Sequence, residues 1–300
     1  MRSTAQTRKT THTPAPLRSL KGIRMVSLAL NLPGPAALMR CRAMGARCVK
    51  LEPPAGDPMA HYSQPAYQQL HEGVKVLAAN LKTEAGQKVL HRELAKADVL
   101  LTSFRPSALQ KLGLDWKKLH KLYPALSQIA IVGSPGERAE EPGHDLTYLA
   151  DHGLVPGLEL PATLYADMSG SLMASEAVLQ ATLNQRASGK GVFIEVALSE
   201  AAGYLALPRQ WAMTTPRGAV GGAHAGYRVY PCKNGRVAVA ALEPHFAAAL
   251  CAAAGVPDSG PGTLFAAATH ALIADFLLTK TRRQLDTLAA AQDIPLHTMA

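Results

Sequence analysis

Several things are scarce in this 300-residue chain. Aromatic residues make up 5% of it and charged residues 18%. No run of about 18 uncharged apolar residues occurs, so no helix is expected to span a membrane. The four cysteines, Cys41, Cys48, Cys232 and Cys251, form no CxxC pair and no metal-ligand spacing. Without an export signal, reduced buried thiols and a cytoplasmic setting are expected. No GxGxxG turn, phosphate loop, HExxH pair or GxSxG elbow is present. These absences remove nicotinamide binding at a first turn, P-loop chemistry, zincin hydrolysis and α/β-hydrolase nucleophiles. No metal site is expected. Acidic residues are missing from residues 1–24, which hold Arg2, Arg8, Lys9, Arg18, Lys21 and Arg24. These six account for most of the formal charge of +9 and leave +3 for the rest. A basic stripe for nucleic acid is therefore not expected, and residues 1–19 read as a disordered basic tail.

What is present is apolar, 48% of the chain, and it is patterned. Residues 23–28 are a short apolar run, read as a buried strand. In Leu32-Pro33-Gly34-Pro35, Pro35 suits a first helical position because its missing N–H costs nothing there. The helix over 36–44 should stop at Gly45, and Cys48-Val49-Lys50-Leu51 should be the next strand. Val74, Val76 and Ala78 alternate as a strand. Thr83 can cap a helix whose Leu90, Leu94 and Ala97 share a face. Residues 99–101 follow as a strand, Asp115 can cap a helix over 116–122, and 129–132 read as another strand. Leu172, Val178, Leu179 and Leu183 recur at helical spacing within 168–186, which Gly189 should end. Residues 192–198 close the series. Strands alternating with helices predict an α/β domain with a mostly parallel sheet covered on both faces.

Beyond about residue 207 the pattern changes. Asn234-Gly235 between apolar runs predicts a hairpin, and 244–291 are Ala-rich with helical period. The expected layout is a large domain over 20–207, a Pro- and Gly-rich linker over 208–222 and a small α+β domain over 223–300.

Five stretches together resemble the family III CoA-transferases, which include α-methylacyl-CoA racemase. The first runs from Leu20-Lys21-Gly22-Ile23 through Leu32-Pro33-Gly34-Pro35 to Leu51-Glu52-Pro53-Pro54-Ala55-Gly56-Asp57. The second is Thr102-Ser103-Phe104-Arg105-Pro106. The third is Gly143-His144-Asp145-Leu146-Thr147-Tyr148. The fourth is Ala166-Asp167-Met168-Ser169-Gly170, with Gly189-Lys190-Gly191 downstream, and the fifth is Leu242-Glu243-Pro244. The resemblance implies a Rossmann-like large domain that binds acyl-CoA, coenzyme A entering as part of the substrate with no separate cofactor. It implies an intertwined homodimer, with the active site between one chain's large domain and the other's small domain, and neither nucleic acid nor membrane as partner.

The resemblance also implies roles. Racemase-like members use the positions of His144 and Asp167 as two acid/base groups, with Glu243 nearby; transferase members use that Asp as a nucleophile. For coenzyme A it points to Lys75, the surviving cation of the stretch over 71–76, with Val74 at another basic position. Arg105, Lys50, Gly143 and Asp145 are further candidates.

On their own terms, His and a carboxylate suit removal and return of an α-proton, provided burial raises the carboxylate. An enolate needs hydrogen-bond donors, and free N–H groups are expected where a helix begins beside Asp167. Asp167 reads equally well as an N-cap, and Glu243-Pro244 as a helix start. Thr147 stands where the family has Asn. The chain stops after Asp293-Ile294-Pro295-Leu296-His297-Thr298, which resembles the family's return from the small domain, so the family's last helices have no counterpart. Three readings follow: a 2-methylacyl-CoA racemase, a CoA-transferase acting through an Asp167 anhydride, and a non-catalytic CoA-binding form.

Overall fold

A computed structural model describes residues 17–257, 260 and 262–300; most of the expected basic tail lies outside them. Contacts divide the chain into a unit ending at Leu205 and a unit from Ala206 to Ala300.

The first unit runs β1 (Arg24–Ser27), α1 (Pro33–Ala43), β2 (Arg47–Glu52), α2 (Met59–Tyr62), α3 (Gln64–Leu70), β3 (Lys75–Ala78), α4 (Glu84–Leu94), β4 (Val99–Thr102), α5 (Pro106–Lys111), α6 (Trp116–Leu122), β5 (Ser127–Val132), α7 (Asp145–Asp151), α8 (Tyr165–Ser188), β6 (Phe193–Ala197) and α9 (Leu198–Leu205). Its six strands are all parallel, in the order β3-β2-β1-β4-β5-β6. Every residue of β4 and β5 is buried, as expected of central strands covered on both faces. Strand pleating sends Met25, Leu101 and Ile129 to one face, packed with Ala37 of α1 and Val178 of α8. Val26 and Leu100 go to the other, against Leu90 of α4 and Leu119 of α6.

Local signals fix the helix ends. Thr83 accepts a hydrogen bond from the Gly86 amide and Asp115 one from the Lys118 amide. Gly45 and Gly189 take φ of 99° and 71° after α1 and α8. Helix α1 begins at Pro33, two residues before the expected Pro35. The expected apolar stripe of α8 is corrected: Leu172 and Leu183 are 49% and 65% exposed. The buried face is Ala166, Gly170, Ala174, Ala177, Val178 and Ala181. Small residues let α8 approach its neighbours closely, and a Cβ on Gly170 would collide with the Leu198 side chain.

The second unit holds α10 (Leu207–Gln210), β7 (Tyr227–Cys232), β8 (Gly235–Ala240), α11 (Pro244–Ala254), α12 (Ala267–Leu278), α13 (Arg282–Gln292) and β9 (Leu296–Met299). The expected linker, 208–222, contains most of α10 and a 3-10 turn, Ala219–Gly221. Strands β7, β8 and β9 form an antiparallel sheet in that order. Cys232 pairs with Gly235, so the hairpin loop is Lys233-Asn234, one residue earlier than expected. The Asn234 side chain accepts a bond from the Arg282 amide. All four cysteines are buried, and burial pushes the Cys41 and Cys48 thiols up to about 12. Among the described residues no helix is long and apolar enough to cross a membrane.

Candidate active site

The order of the six strands reverses direction of growth between β1 and β4, where open α/β sheets leave a crevice at their carboxyl ends. A cavity of about 450 Å³ lies there. Its walls come from residues 30–33 after β1, Ser103, Phe104 and Arg105 after β4, and Val132 and Gly133 after β5. Gly143, His144 and Asp145 at the start of α7, and Leu164 and Asp167 at the start of α8, complete it. Five sequence candidates therefore meet at one cavity: Arg105, Gly143, His144, Asp145 and Asp167.

His144 is the extended residue before α7, with φ −144° and ψ 169°. The Thr147 hydroxyl accepts a bond from the His144 amide at 3.0 Å and donates to its carbonyl at 2.7 Å. Both bonds hold the backbone. The residue is exposed at the cavity. Asp145 is buried at 5% exposure. Its Oδ1 accepts the Asp167 amide at 3.0 Å. Helix α8 starts at Tyr165, so Asp167 stands in its first turn rather than ahead of it. The free amides expected there are in use: Asp167 donates to Asp145 and Met168 to the Leu164 carbonyl. Burial first, then the neighbouring Asp145 charge, pushes the Asp167 carboxyl up from 3.8 to about 6, with His144 acting in the opposite sense.

Tyr148 belongs to the same wall, although the sequence reading gave it no role. It is buried on α7, and Cβ atoms on Gly133 or Gly143 would collide with its phenol. The two glycines thus make the slot for its ring. Burial raises the phenol, Asp167 raises it further and Arg105 lowers it. The signal available beforehand was its place at the end of the Gly143–Tyr148 motif.

The other candidates stand elsewhere. Lys50 is fully buried on β2. Its ammonium pairs with Asp57, lies 3.2 Å from Glu52 and 2.8 Å from His71 Nε2. As a direct contact for coenzyme A it does not fit, because its charge is already taken. The ligand-type atoms of Glu52, Asp57 and His71 lie within 4.8 Å of one another, but the lysine supplies the cation they surround. Tyr67 donates to Glu52 at 3.0 Å. The same Asp57 accepts the Asn31 and Met59 amides at 3.0 and 2.9 Å, and both residues line the cavity. Asn31 has φ of 64°, a left-handed conformation that Asn tolerates better than most residues. Lys75 is exposed at the start of the edge strand β3, in a groove with Arg24 and Arg47. Glu243 is in the second unit, the exposed residue before α11, and makes no side-chain cap bond.

Known proteins bear on this arrangement. Cinnamoyl-CoA:phenyllactate CoA-transferase of Clostridium sporogenes is 32% identical over 207 residues, 61% of this chain and 50% of that protein. Alpha-methylacyl-CoA racemase of Homo sapiens is 30% identical over 246 residues, 76% of this chain and 63% of that protein. The chain thus spans half to under two thirds of the length of these relatives. Among solved structures, a hypothetical protein from Mycobacterium tuberculosis shares the fold with a TM-score of 0.81 at 24% identity, over 94% of this chain and 84% of that one. A CAIB/BAIF family protein from Brucella suis does so with a TM-score of 0.77 at 24% identity, over the same shares. The model of CoA-transferase family III matches residues 20–300, and with it the fold and the motifs that meet at the cavity: the chain belongs to CoA-transferase family III.

Proposed function

We propose that this chain acts on acyl-CoA thioesters as a 2-methylacyl-CoA racemase-like isomerase, with His144 and Asp167 as its acid/base pair. One observation carries the reading: the Asp167 carboxyl, pushed up to about 6, lines the same cavity as the exposed imidazole of His144. An imidazole and a carboxyl held up to about 6 suit removal of an α-proton and its return from the other side. One takes the proton as base, the α-carbon and thioester carbonyl become an enolate, and the other delivers a proton to the opposite face. The Tyr148 phenol and the Arg105 guanidinium are the donors best suited to the enolate oxygen and the acidic groups of coenzyme A.

A transferase would ask something different of Asp167. Its carboxylate would attack the thioester carbonyl, release CoA thiolate and leave a mixed anhydride. The test is exchange of the α-hydrogen of a 2-methylacyl-CoA with D₂O in the absence of any acceptor acid. Exchange is expected, with His144→Ala slowing it about 10²–10⁴-fold. Hydroxylamine capture of an Asp167 acyl group with no α-exchange would instead make the protein a CoA-transferase. Neither exchange nor capture, with coenzyme A bound in calorimetry, would support the non-catalytic reading.

A further inference from the structure

We propose that Asp145 is no substrate contact but the positioning residue that sets both the place and the charge of Asp167. The inference rests on the reading of Asp167 as an acid/base group. Its geometry stands independently of that reading. Asp145 is 5% exposed, and its carboxylate's one hydrogen bond among the described residues comes from the Asp167 amide at 3.0 Å. That bond occupies an otherwise unpaired donor in the first turn of α8 and ties it to the first residue of α7, 22 positions earlier. His144 immediately precedes Asp145, so one residue couples the two helix starts that carry the acid/base groups.

The same carboxylate carries no ion pair among the described residues, whereas other buried acids in this chain do. The ionisable groups around Asp167 are few. From α7 come His144, Asp145 and Tyr148, and α8 itself adds Tyr165. Arg105 follows β4, while Glu141 and Tyr62 lie farther along the cavity wall; α9 adds only the apolar Leu198. Arg105 acts on the Tyr148 phenol, whereas His144 lowers Asp167. Two carboxylates that share a site cannot ionise independently, because the first charge raises the cost of the second. The Asp145 charge therefore adds to burial in opposing the ionisation of Asp167.

Asp145→Asn separates the two effects. The amide oxygen still accepts the Asp167 N–H, but the charge is gone. In the full chain, ¹³C-carboxyl NMR of labelled aspartate should show the Asp167 titration fall by about one pH unit, or about tenfold in its proton affinity. The acid limb of α-exchange should move with it. Asp145→Ala should lose the positioning bond as well and reduce turnover more than Asp145→Asn does. By reciprocity, Asp167→Asn should lower the titration of Asp145 by the same amount, which tests the coupling even where Asp145 variants fail to fold. An Asp167 titration unmoved in Asp145→Asn, or an Asp145 titration unmoved in Asp167→Asn, overturns the proposal. If both titrations shift while the wild-type protein exchanges no α-hydrogen, Asp145 keeps its role and the isomerase reading falls.

Discussion

The first unit buries acidic groups in two places and treats them in opposite ways. Around Lys50, two carboxylates and a histidine converge on one ammonium, Tyr67 donates to Glu52, and Asp57 also accepts two backbone amides. Burial lowers His71 from its ordinary value and Lys50 lowers it further, although the Tyr67 carbonyl and the two acids oppose this, so the imidazole stays neutral. At Asp145 and Asp167, one carboxylate is bonded to the other's amide and neither has an ion pair among the described residues. The first cluster is saturated and has no reason to exchange a proton. The second is held in an electrostatic conflict beside a cavity, which is where proton transfer becomes easy. Burial of charge alone therefore does not mark the site; burial without neutralisation, next to space for a substrate, does.

Removing the cation should break the contrast most severely. Lys50→Met would leave Glu52 and Asp57 buried without their partner, a change expected to cost about 3–5 kcal/mol in urea denaturation. A loss under 1 kcal/mol would mean that the cluster is as strained as the pair at the cavity. The opposite sign is expected at Asp167. Its folded value, about 6, lies above the ordinary 3.8, so the folded state binds this proton more tightly than the unfolded chain. The resulting penalty is absent below about pH 4 and complete above about pH 6, so wild-type stability should fall as pH rises through that window. Asp167→Asn should remove this slope and stabilise the protein at pH 7 by at most about 3 kcal/mol, while abolishing α-exchange. Denaturation curves at pH 4 and pH 7 decide it, and a variant less stable than wild type at pH 7 would contradict the conflict. The smallest effect concerns the slot beneath the pair. Gly133→Ala drives a methyl group against the Tyr148 phenol and should cost about 1–3 kcal/mol. An unchanged melting curve would mean that the ring moves aside freely.

Signals confined to a few residues could be read from the sequence. Thr83, Asp115, Gly45 and Gly189 end helices through their own side chains or backbone freedom, and they do so in the structure. Long-range partnerships were hidden. Lys50 in an apolar strand reads as a possible ligand contact until Asp57 and His71, 7 and 21 residues away, close around it. The buried face of α8 was missed because Ala and Gly carry little hydrophobic signal yet permit the closest packing, which leaves Leu172 and Leu183 outside. Strand β9 has neither length nor clear alternation, and it forms by pairing with β8. At the cavity, the family motifs pointed to His144 and Asp167, whereas Asp167 on its own read equally as a helix cap. Nothing local announced the bond from the Asp167 amide to Asp145.

Asp57 gives the cavity rim a built-in clock. One buried oxygen, Oδ1, accepts the amides of Asn31 and Met59, which lie on separate segments of the wall. Neither proton can trade with solvent deuterium until that carboxylate lets go, and the same carboxylate is anchored to Lys50. The two amides should therefore exchange slowly, and in step, at the rate at which the buried cluster opens. Their shared rate measures how long the rim keeps its shape between openings.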